Sequence, residues 1–459
     1  MAHANKLVVG IDWGTHSSKW WYSLGTGRSA VAPARIPVVV DSTIYRIADD
    51  LAVYRERARH AKEDVADNRL KRLLLGDPQG ASYWDAVREG IGVSLGDASV
   101  LTIGALFGDA LEQIASEGYT LVADAELSVR FSLPNWIGDD AGHKAARRRM
   151  YETSVVSAAL LDSSRIKELP GVGRRVRIQE WRDLIKSVRS DPAVLECLKQ
   201  YPKSFAEMVG KHFQLGRVTW VLAAESSAAG YLPLEELLQD VPRKAASQRH
   251  WVKLLVVDVG AGSTDAGYFV SSRTISGHEL VMNYLPPART LDFAGESLTE
   301  MLCDYYLRQG RELSIEEAEI MKINAPARWG GQEFVRDWRQ KIAKSVADYI
   351  FHVPDDARLA EPAIPGLKIV LTGGSGAVLG LDNAVKEAVV DALARRGVPG
   401  NVAERTELVP FGTRLVPDRI DSLRRAVSIG EGQPDFVMLA YREAFTKSTR
   451  TVVASRGWV

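Results

Sequence analysis

Leu254-Leu-Val-Val-Asp-Val-Gly-Ala-Gly-Ser-Thr-Asp-Ala-Gly-Tyr268 decides how this chain is read. A short β-branched apolar run reads as a buried strand, Asp258 stands at its end, Gly260 follows two residues later, and hydroxyl residues come next. The same order occurs at Leu7-Val-Val-Gly-Ile-Asp-Trp-Gly-Thr-His-Ser-Ser-Lys19, around Asp12 and Gly14. A third glycine turn, Ile369-Val-Leu-Thr-Gly-Gly-Ser-Gly376, also follows an apolar strand. The first two stretches constitute an internal duplication. Glycine lets a backbone turn tightly and approach phosphates, N–H and hydroxyl groups donate to them, and an Asp accepts from magnesium-bound water. Two such loops suit a nucleoside triphosphate with its metal, whereas one alone is matched by any strand that ends in Asp and Gly for turn reasons.

At these residues the chain resembles the actin-like ATPase superfamily, and more closely the nucleotide-binding domain of the seventy-kilodalton, DnaK-type heat-shock chaperones. Further landmarks follow in the same order. Lys71-Arg-Leu-Leu-Leu-Gly76 looks like the chaperones' K-R-L-I-G, Ser132-Leu-Pro-Asn-Trp136 like V-P-A-Y-F, and Ala224-Glu-Ser-Ser-Ala-Ala229 like N-E-P-T-A-A. Ala294-Gly-Glu296 resembles G-G-E, and Glu319-Ile-Met-Lys322 resembles E-x-x-K. The resemblance implies an α/β fold, a duplicated ribonuclease-H-like architecture with two lobes around a nucleotide cleft. Lobe I would span 1–245, with an outer subdomain at 38–119 and a family-atypical insertion at 150–215. Lobe II would span 250–420, with a mainly helical outer subdomain at 289–365, and 421–459 would form a closing helix and tail.

Composition sets the outer limits. With 459 residues, 46% hydrophobic and 25% charged, the chain is long enough for two to four packed units. Lys+Arg at 58 equals Asp+Glu at 58, so no global field draws it to nucleic acid or to an anionic membrane. Cys197 and Cys303 lie far apart and offer neither metal spacing nor a disulfide framework, which fits a reducing cytoplasm. The start Met-Ala-His-Ala-Asn-Lys leads into the first strand without an export pattern, and no run reaches the roughly eighteen apolar residues of a membrane span. A cytoplasmic location is the expectation.

Along the chain, strands are predicted at Leu7–Ile11 and Trp20–Leu24, with Trp20 and Trp21 as sheet packing. Asp50 to Arg72 reads as a charged helical tract, Gly104 to Ser116 as an amphipathic helix, and Ala125–Leu133 as a strand feeding Pro134. Lys144-Ala-Ala-Arg-Arg-Arg149 continues a helix from Asp139, its basic cluster read as a solvated face. Between Arg149 and Glu225 the chain exceeds the chaperone pattern by roughly sixty residues. Pro170-Gly-Val-Gly173 marks a turn there, and Ile178 to Arg189 and Ala193 to His212 read as helices. This extra stretch is either a partner-docking device or padding. In the second half, Leu291 to Val353 is mainly helical, Lys368–Leu371 is a strand and Asp382 to Arg396 a helix.

Residue roles follow from the resemblance. Asp12 and Asp258 match the carboxylates that hold magnesium through water. Gly14, Thr15, Gly260, Gly262 and Ser263 match positions facing the phosphates, and Ser17, Ala261 and Gly295 join them on the nucleotide. Lys71 matches the lysine that contacts the attacking water and the γ-phosphate, while Lys19 stands near the offset at which actin carries its own phosphate lysine, so either can be the main one. Glu225 matches a glutamate near the metal water, although Ser226 replaces the proline that usually follows. Pro134 matches the switch proline. Gly373, Gly374 and Ser375 would meet the ribose and ring face, Glu319 and Lys322 the ribose hydroxyls, and Asp421 the nucleotide from the closing helix. Ala377 and Ile323 stand where arginines are usual, which predicts weaker nucleotide affinity. His16 replaces a small hydroxyl residue beside the phosphates, either donating to them or turned outward.

No peptide-binding domain of a complete chaperone is expected within these residues. The implied function is a stand-alone DnaK-like ATPase that binds MgATP, hydrolyses it slowly to ADP and uses lobe closure to control a partner protein, through a lobe surface or the insertion. A filament-forming actin-like ATPase, a small-molecule kinase with Asp265 as its Asp, and a nucleotide-binding pseudoenzyme scaffold remain alternatives.

Overall fold

Strands form where the apolar β-branched runs fall, and helices fill the longer intervals. The computed structural model describes residues 2–433 except 16, 27, 28, 38, 54–64, 68, 69, 76–80, 135–140, 163–175, 240–249, 274–279, 292, 325–328, 330, 354–358, 361–365, 412–415 and 417. It is a mixed α/β protein. The chain divides into two compact units, the first running to Ala224 and taking up the chain again at Val427, the second from Glu225 to Ala426.

In the first unit the chain passes through β1 (Ala2–Asp12), β2 (Ser17–Thr26), β3 (Ser29–Val31), β4 (Val40–Asp41), β5 (Ile44–Ile47), β6 (Asp50–Val53) and β7 (Val65–Asp67). A 3-10 turn at Arg72–Leu75, α1 (Ala81–Asp85), α2 (Leu95–Ser116), β8 (Tyr119–Leu133) and α3 (Ala141–Leu161) follow. Then come β9 (Val176–Arg177), α4 (Ile178–Arg189), α5 (Pro192–Lys199), α6 (Phe205–Met208), β10 (His212–Leu215) and β11 (Val218–Ala224). The main sheet runs β10-β11-β8-β1-β2-β3, with β4 paired to β2. Residues Leu7 to Asp12 are all buried, as expected of a central strand covered on both faces. The first unit also holds a four-stranded sheet, β7-β5-β6-β9.

The second unit opens with α7 (Glu225–Gln239), then β12 (His250–Val259), β13 (Thr264–Arg273), β14 (Leu280–Leu291), α8 (Gly295–Arg308), α9 (Ile315–Asn324) and α10 (Glu333–His352). After β15 (Lys368–Thr372) come a 3-10 turn at Gly374–Ala377, α11 (Leu381–Arg395), α12 (Gly400–Ala403), β16 (Glu407–Leu408) and α13 (Arg419–Gly432). Its sheet runs β14-β13-β12-β15-β16. Counted outward from β1 and from β12, the two sheets share one set of strand senses. The hairpin partner and the next strand, β2 and β3 or β13 and β14, pair antiparallel, and the strands on the other side, β8 and β11 or β15 and β16, pair parallel. The core of the second unit joins Leu255, Val257 and Tyr268 of the sheet to Trp338 and Ile342 of α10 and Val385 and Val389 of α11.

Several expectations need correction. The tract from Asp50 to Arg72 is not a helix where it is described: β6 and β7 pair with β5, and buried Leu51, Ala52 and Val53 show that cross-strand pairing outweighs the helical propensity of the charged residues. The basic cluster of α3 is only partly a solvated face: Lys144 and Arg148 are exposed, but Arg147 is 1% and Arg149 2% exposed. Arg149 instead donates from Nη1 to the Leu74 carbonyl at 2.6 Å and lies over the Tyr83 ring. Ala193 to His212 breaks into α5, α6 and the start of β10 because Pro202 cannot continue a helix. α2 begins at Leu95 rather than Gly104, set by a capping box in which Ser94 Oγ accepts from Asp97 N and Asp97 accepts from Ser94 N. Among the described residues α2 alone is long and apolar enough on average to cross a membrane, and 72% of that stretch is buried inside the protein.

The extra stretch is woven into the first unit. β9 pairs with β6 at Asp50↔Arg177 and Leu51↔Val176, and β10 adds an edge to the main sheet beside β11. Trp181 of α4, 2% exposed, donates from Nε1 to the Asp97 carbonyl at 2.9 Å, and Tyr151 Oη donates to the Cys197 carbonyl at 2.9 Å. The turn read at Pro170–Gly173 lies outside the described residues, as does the region beyond residue 433 that was read as continuing the closing helix.

Candidate functional site

Each unit builds one hairpin around its motif. In the first, β1 and β2 pair with Asp12 opposite Lys19, so both side chains leave the same face of the sheet, and Lys19 Nζ lies 3.1 Å from Asp12 Oδ2. Both are largely buried, so desolvation offsets much of the attraction, and removing one partner alone would leave a buried charge uncompensated. Gly14 closes the turn so tightly that a methyl there would collide with the Ser17 carbonyl. Ser42 Oγ donates to the Gly14 carbonyl at 2.7 Å and shares a 2.7 Å hydrogen bond with Ser18 Oγ. Thr15 and Ser17 are half-buried, and His16 lies outside the described residues.

In the second unit the register is Asp258↔Asp265 on β12 and β13 and Asp258↔Thr372 on β12 and β15. Two carboxylates, Asp258 at 7% and Asp265 at 1% exposure, therefore share one sheet face where the first hairpin has an ion pair. Thr372 Oγ1 donates to Asp258 Oδ1 at 3.0 Å and Ser263 Oγ donates to Asp265 Oδ2 at 2.9 Å. The turn closes by Gly260 N to Ser263 O at 2.9 Å, with Ala261 and Gly262 between them. Like charges directly opposite are unfavourable in a sheet, and carboxylate oxygens are the donors a hard divalent cation takes. Among the described residues no group of three or more His, Cys, Asp or Glu gathers, so protein oxygens alone would leave most of such an ion's shell to water or ligand.

The other candidates of the second unit converge on this hairpin. Gly295 N donates to the Gly260 carbonyl at 3.1 Å and Glu296 N to the Ala261 carbonyl at 2.7 Å, which seats the start of α8 on the turn. Lys322 Nζ reaches the Gly295 carbonyl at 3.0 Å, Thr299 Oγ1 at 2.9 Å and Glu319 Oε1 at 2.6 Å. Burial pushes this ammonium below the usual lysine range, and the charge of Glu319 pulls it back up. Gly373 has φ 81°, and a methyl there would sit 2.6 Å from Asp258 Oδ1 and closer still to the Val259 carbonyl. Its N–H donates to the Leu423 carbonyl of α13 at 3.0 Å. Ser375 packs against Gly295, and Gly374 faces Arg424.

Asp258, Gly260, Ala261, Ser263, Gly295, Glu319, Lys322, Gly373 and Ser375 thus form one connected cluster, while Asp12, Gly14 and Lys19 form another. Lys71 is 8% exposed beside the 3-10 turn, so it is not a routine surface residue. Glu225 opens α7 immediately after β11 and is 4% exposed. Pro134 is buried at the end of β8, and Asp421 lies in α13. Sequence reading missed Thr372, which stands inside the third motif just before Gly373, and Ser42 and Arg424, for which the sequence carried no signal. No protein-family model matches this chain, and no curated protein sequence matches it.

Proposed function

We propose that this protein is an ATPase of the actin-like superfamily, with a duplicated ribonuclease-H-like fold, that binds MgATP and hydrolyses it slowly so that its nucleotide state controls a partner protein. The observation that carries the reading is the repeated hairpin: the same Asp at the same strand end, the same glycine turn, in two sheets with one set of strand senses. The residues present fit the ligand. Gly14 and Gly373 leave no room for a side chain, and Asp258 and Asp265 offer carboxylate oxygens on one sheet face.

In this reading Asp258 would hold the hydrated metal, its carboxylate oriented by the hydrogen bond from Thr372. Magnesium, when bound, would offset charge on the phosphates. The backbone N–H groups of the Gly260–Ser263 turn and the hydroxyl of Thr15 donate to phosphate oxygens. Lys19, held by Asp12, and Lys71 would be the cations available to developing charge on the transferred phosphoryl group, Lys71 also to the attacking water, and Glu225 would stand near the metal's water. Gly373, Gly374 and Ser375, with Glu319 and Lys322 behind Gly295, receive the nucleoside.

Calorimetric titration with MgATP and MgADP, joined to a phosphate-release assay, tests the proposal. Saturable binding of both, and steady release that stops on chelation of magnesium, are expected; absence of binding to either nucleotide overturns it.

A further inference from the structure

The glycine two residues after each motif carboxylate, Gly14 or Gly260, has its carbonyl taken by a segment that follows the hairpin. In the second hairpin the donor is backbone, Gly295 N at 3.1 Å. In the first it is a side chain, Ser42 Oγ at 2.7 Å, and because a carbonyl only accepts, the single hydroxyl hydrogen of Ser42 is spent there. Ser18 therefore donates the 2.7 Å bond that joins it to Ser42, which makes a relay from Ser18 Oγ to Ser42 Oγ to the Gly14 carbonyl. Ser18 is 0% and Ser42 2% exposed, so bulk water does not compete for either hydroxyl. Strand pairing sets the geometry: β4 joins β2 with Ser17 opposite Asp41 and Ser18 opposite Val40, which brings the next residue, Ser42, to the turn.

A trans peptide is planar, and its C=O and N–H point to opposite sides. Holding the Gly14 carbonyl on Ser42 thus turns the Thr15 N–H the other way, as holding the Gly260 carbonyl on Gly295 does for the Ala261 N–H. Neither N–H has a hydrogen-bond acceptor among the described residues, and Thr15 and Ala261 are both half-buried. An unspent N–H fixed in direction is a donor for an anion and needs no reorganisation when the anion arrives.

We propose that Ser42, itself held by Ser18, is a positioning residue that locks the Gly14–Thr15 peptide with its N–H toward a phosphate of the bound nucleotide. This rests on the nucleotide-binding reading above. Glycine leaves the backbone conformationally permissive, so a peptide that begins at Gly14 needs an outside restraint to keep one orientation. The second hairpin takes that restraint from the start of α8, and the first takes it from a hydroxyl.

The test titrates wild type, Ser42→Ala, Ser42→Cys and Ser42→Thr with MgADP, tripolyphosphate and adenosine, after circular dichroism and urea unfolding identify the folded variants. Ser42→Ala removes the donor, and Ser42→Cys, close to isosteric, keeps only a weak one and carries the test if the Ala variant does not fold. Loss of the lock is expected to weaken MgADP and tripolyphosphate roughly tenfold in Ser42→Ala and several-fold in Ser42→Cys, with adenosine affinity within about twofold of wild type. Ser42→Thr, which keeps the hydroxyl, should recover most of the loss. A serine with a merely structural role would lower the urea midpoint and leave the phosphate ligands unaffected, so unchanged MgADP affinity in the folded Ala or Cys variant overturns the assignment. An equal loss of adenosine affinity overturns it too, because that would be a general loosening of the unit. Wild-type protein that binds none of these ligands sinks the nucleotide reading itself, an outcome distinct from normal binding that ignores residue 42.

Discussion

At the scale of single residues, the two hairpins differ in one position that sets their electrostatics: Lys19 faces Asp12, but Asp265 faces Asp258. Asp258→Asn is expected to lower magnesium-dependent turnover about a hundredfold, a loss of roughly 3 kcal/mol of charge stabilisation, with the circular dichroism spectrum unchanged. An unaltered rate would remove Asp258 from the site. In the first hairpin, Lys19→Met leaves a buried carboxylate without its partner and should cost about 3–5 kcal/mol in urea unfolding, whereas Asp12→Asn with Lys19→Met should cost clearly less. Additive losses in that cycle would mean that the pair contributes nothing. Gly373→Ala forces a left-handed backbone and a collision with the Val259 carbonyl, so it should destabilise by more than about 1–2 kcal/mol, read as a fall in the urea midpoint. These glycines and carboxylates were legible in the sequence because a tight turn at a strand end restricts the residue types that fit. The burial of Arg147 and Arg149 was not, since a basic run on a helix looks the same whether it faces water or carbonyl oxygens.

At the scale of elements, the stretch between Arg149 and Glu225 is part of the first unit's frame. β9 completes the small sheet through β6, and α4 delivers Trp181 to the Asp97 carbonyl of α2. Trp181→Ala should cost about 3–5 kcal/mol, because a fully buried indole leaves both a cavity and an unpaired carbonyl. An equilibrium unfolding curve unchanged from wild type would show the helix to be an appendage. Helix α4 was predicted to the residue from its spacing, but its role was not, since an amphipathic pattern tells that a face is buried and not what buries it. The strands at Asp50–Val53 and Val65–Asp67 were misread as helix for the related reason that short charged strands take their stability from partners distant in sequence.

At the scale of the whole molecule, a ligand that binds only the folded protein must stabilise it. MgATP at a hundred times its dissociation constant is expected to add about 2.7 kcal/mol, seen as a concentration-dependent rise in melting temperature that EDTA reduces. A melt indifferent to nucleotide at millimolar concentration would argue against an adenine nucleotide as ligand. Because both carboxylate hairpins lie at corresponding places in their sheets, the rise should be diminished by Asp12→Asn as well as by Asp258→Asn. The neutral charge balance, 58 against 58, leaves this readout free of bulk attraction to anions.

By itself the sequence determined the α/β class, the two Asp–Gly hairpins and their hydroxyls, the third glycine turn, and most strands and helices of the second half, because each is set by local backbone geometry and a short hydrophobic period. Only the tertiary structure decided what stands opposite each carboxylate, that Thr372 orients Asp258, that the start of α8 and Lys322 seal the second turn, and that Arg424 reaches Gly374 from a helix later in the chain. Those contacts join residues far apart in sequence, and it is strand register and helix docking, rather than any local pattern, that bring them within hydrogen-bonding distance.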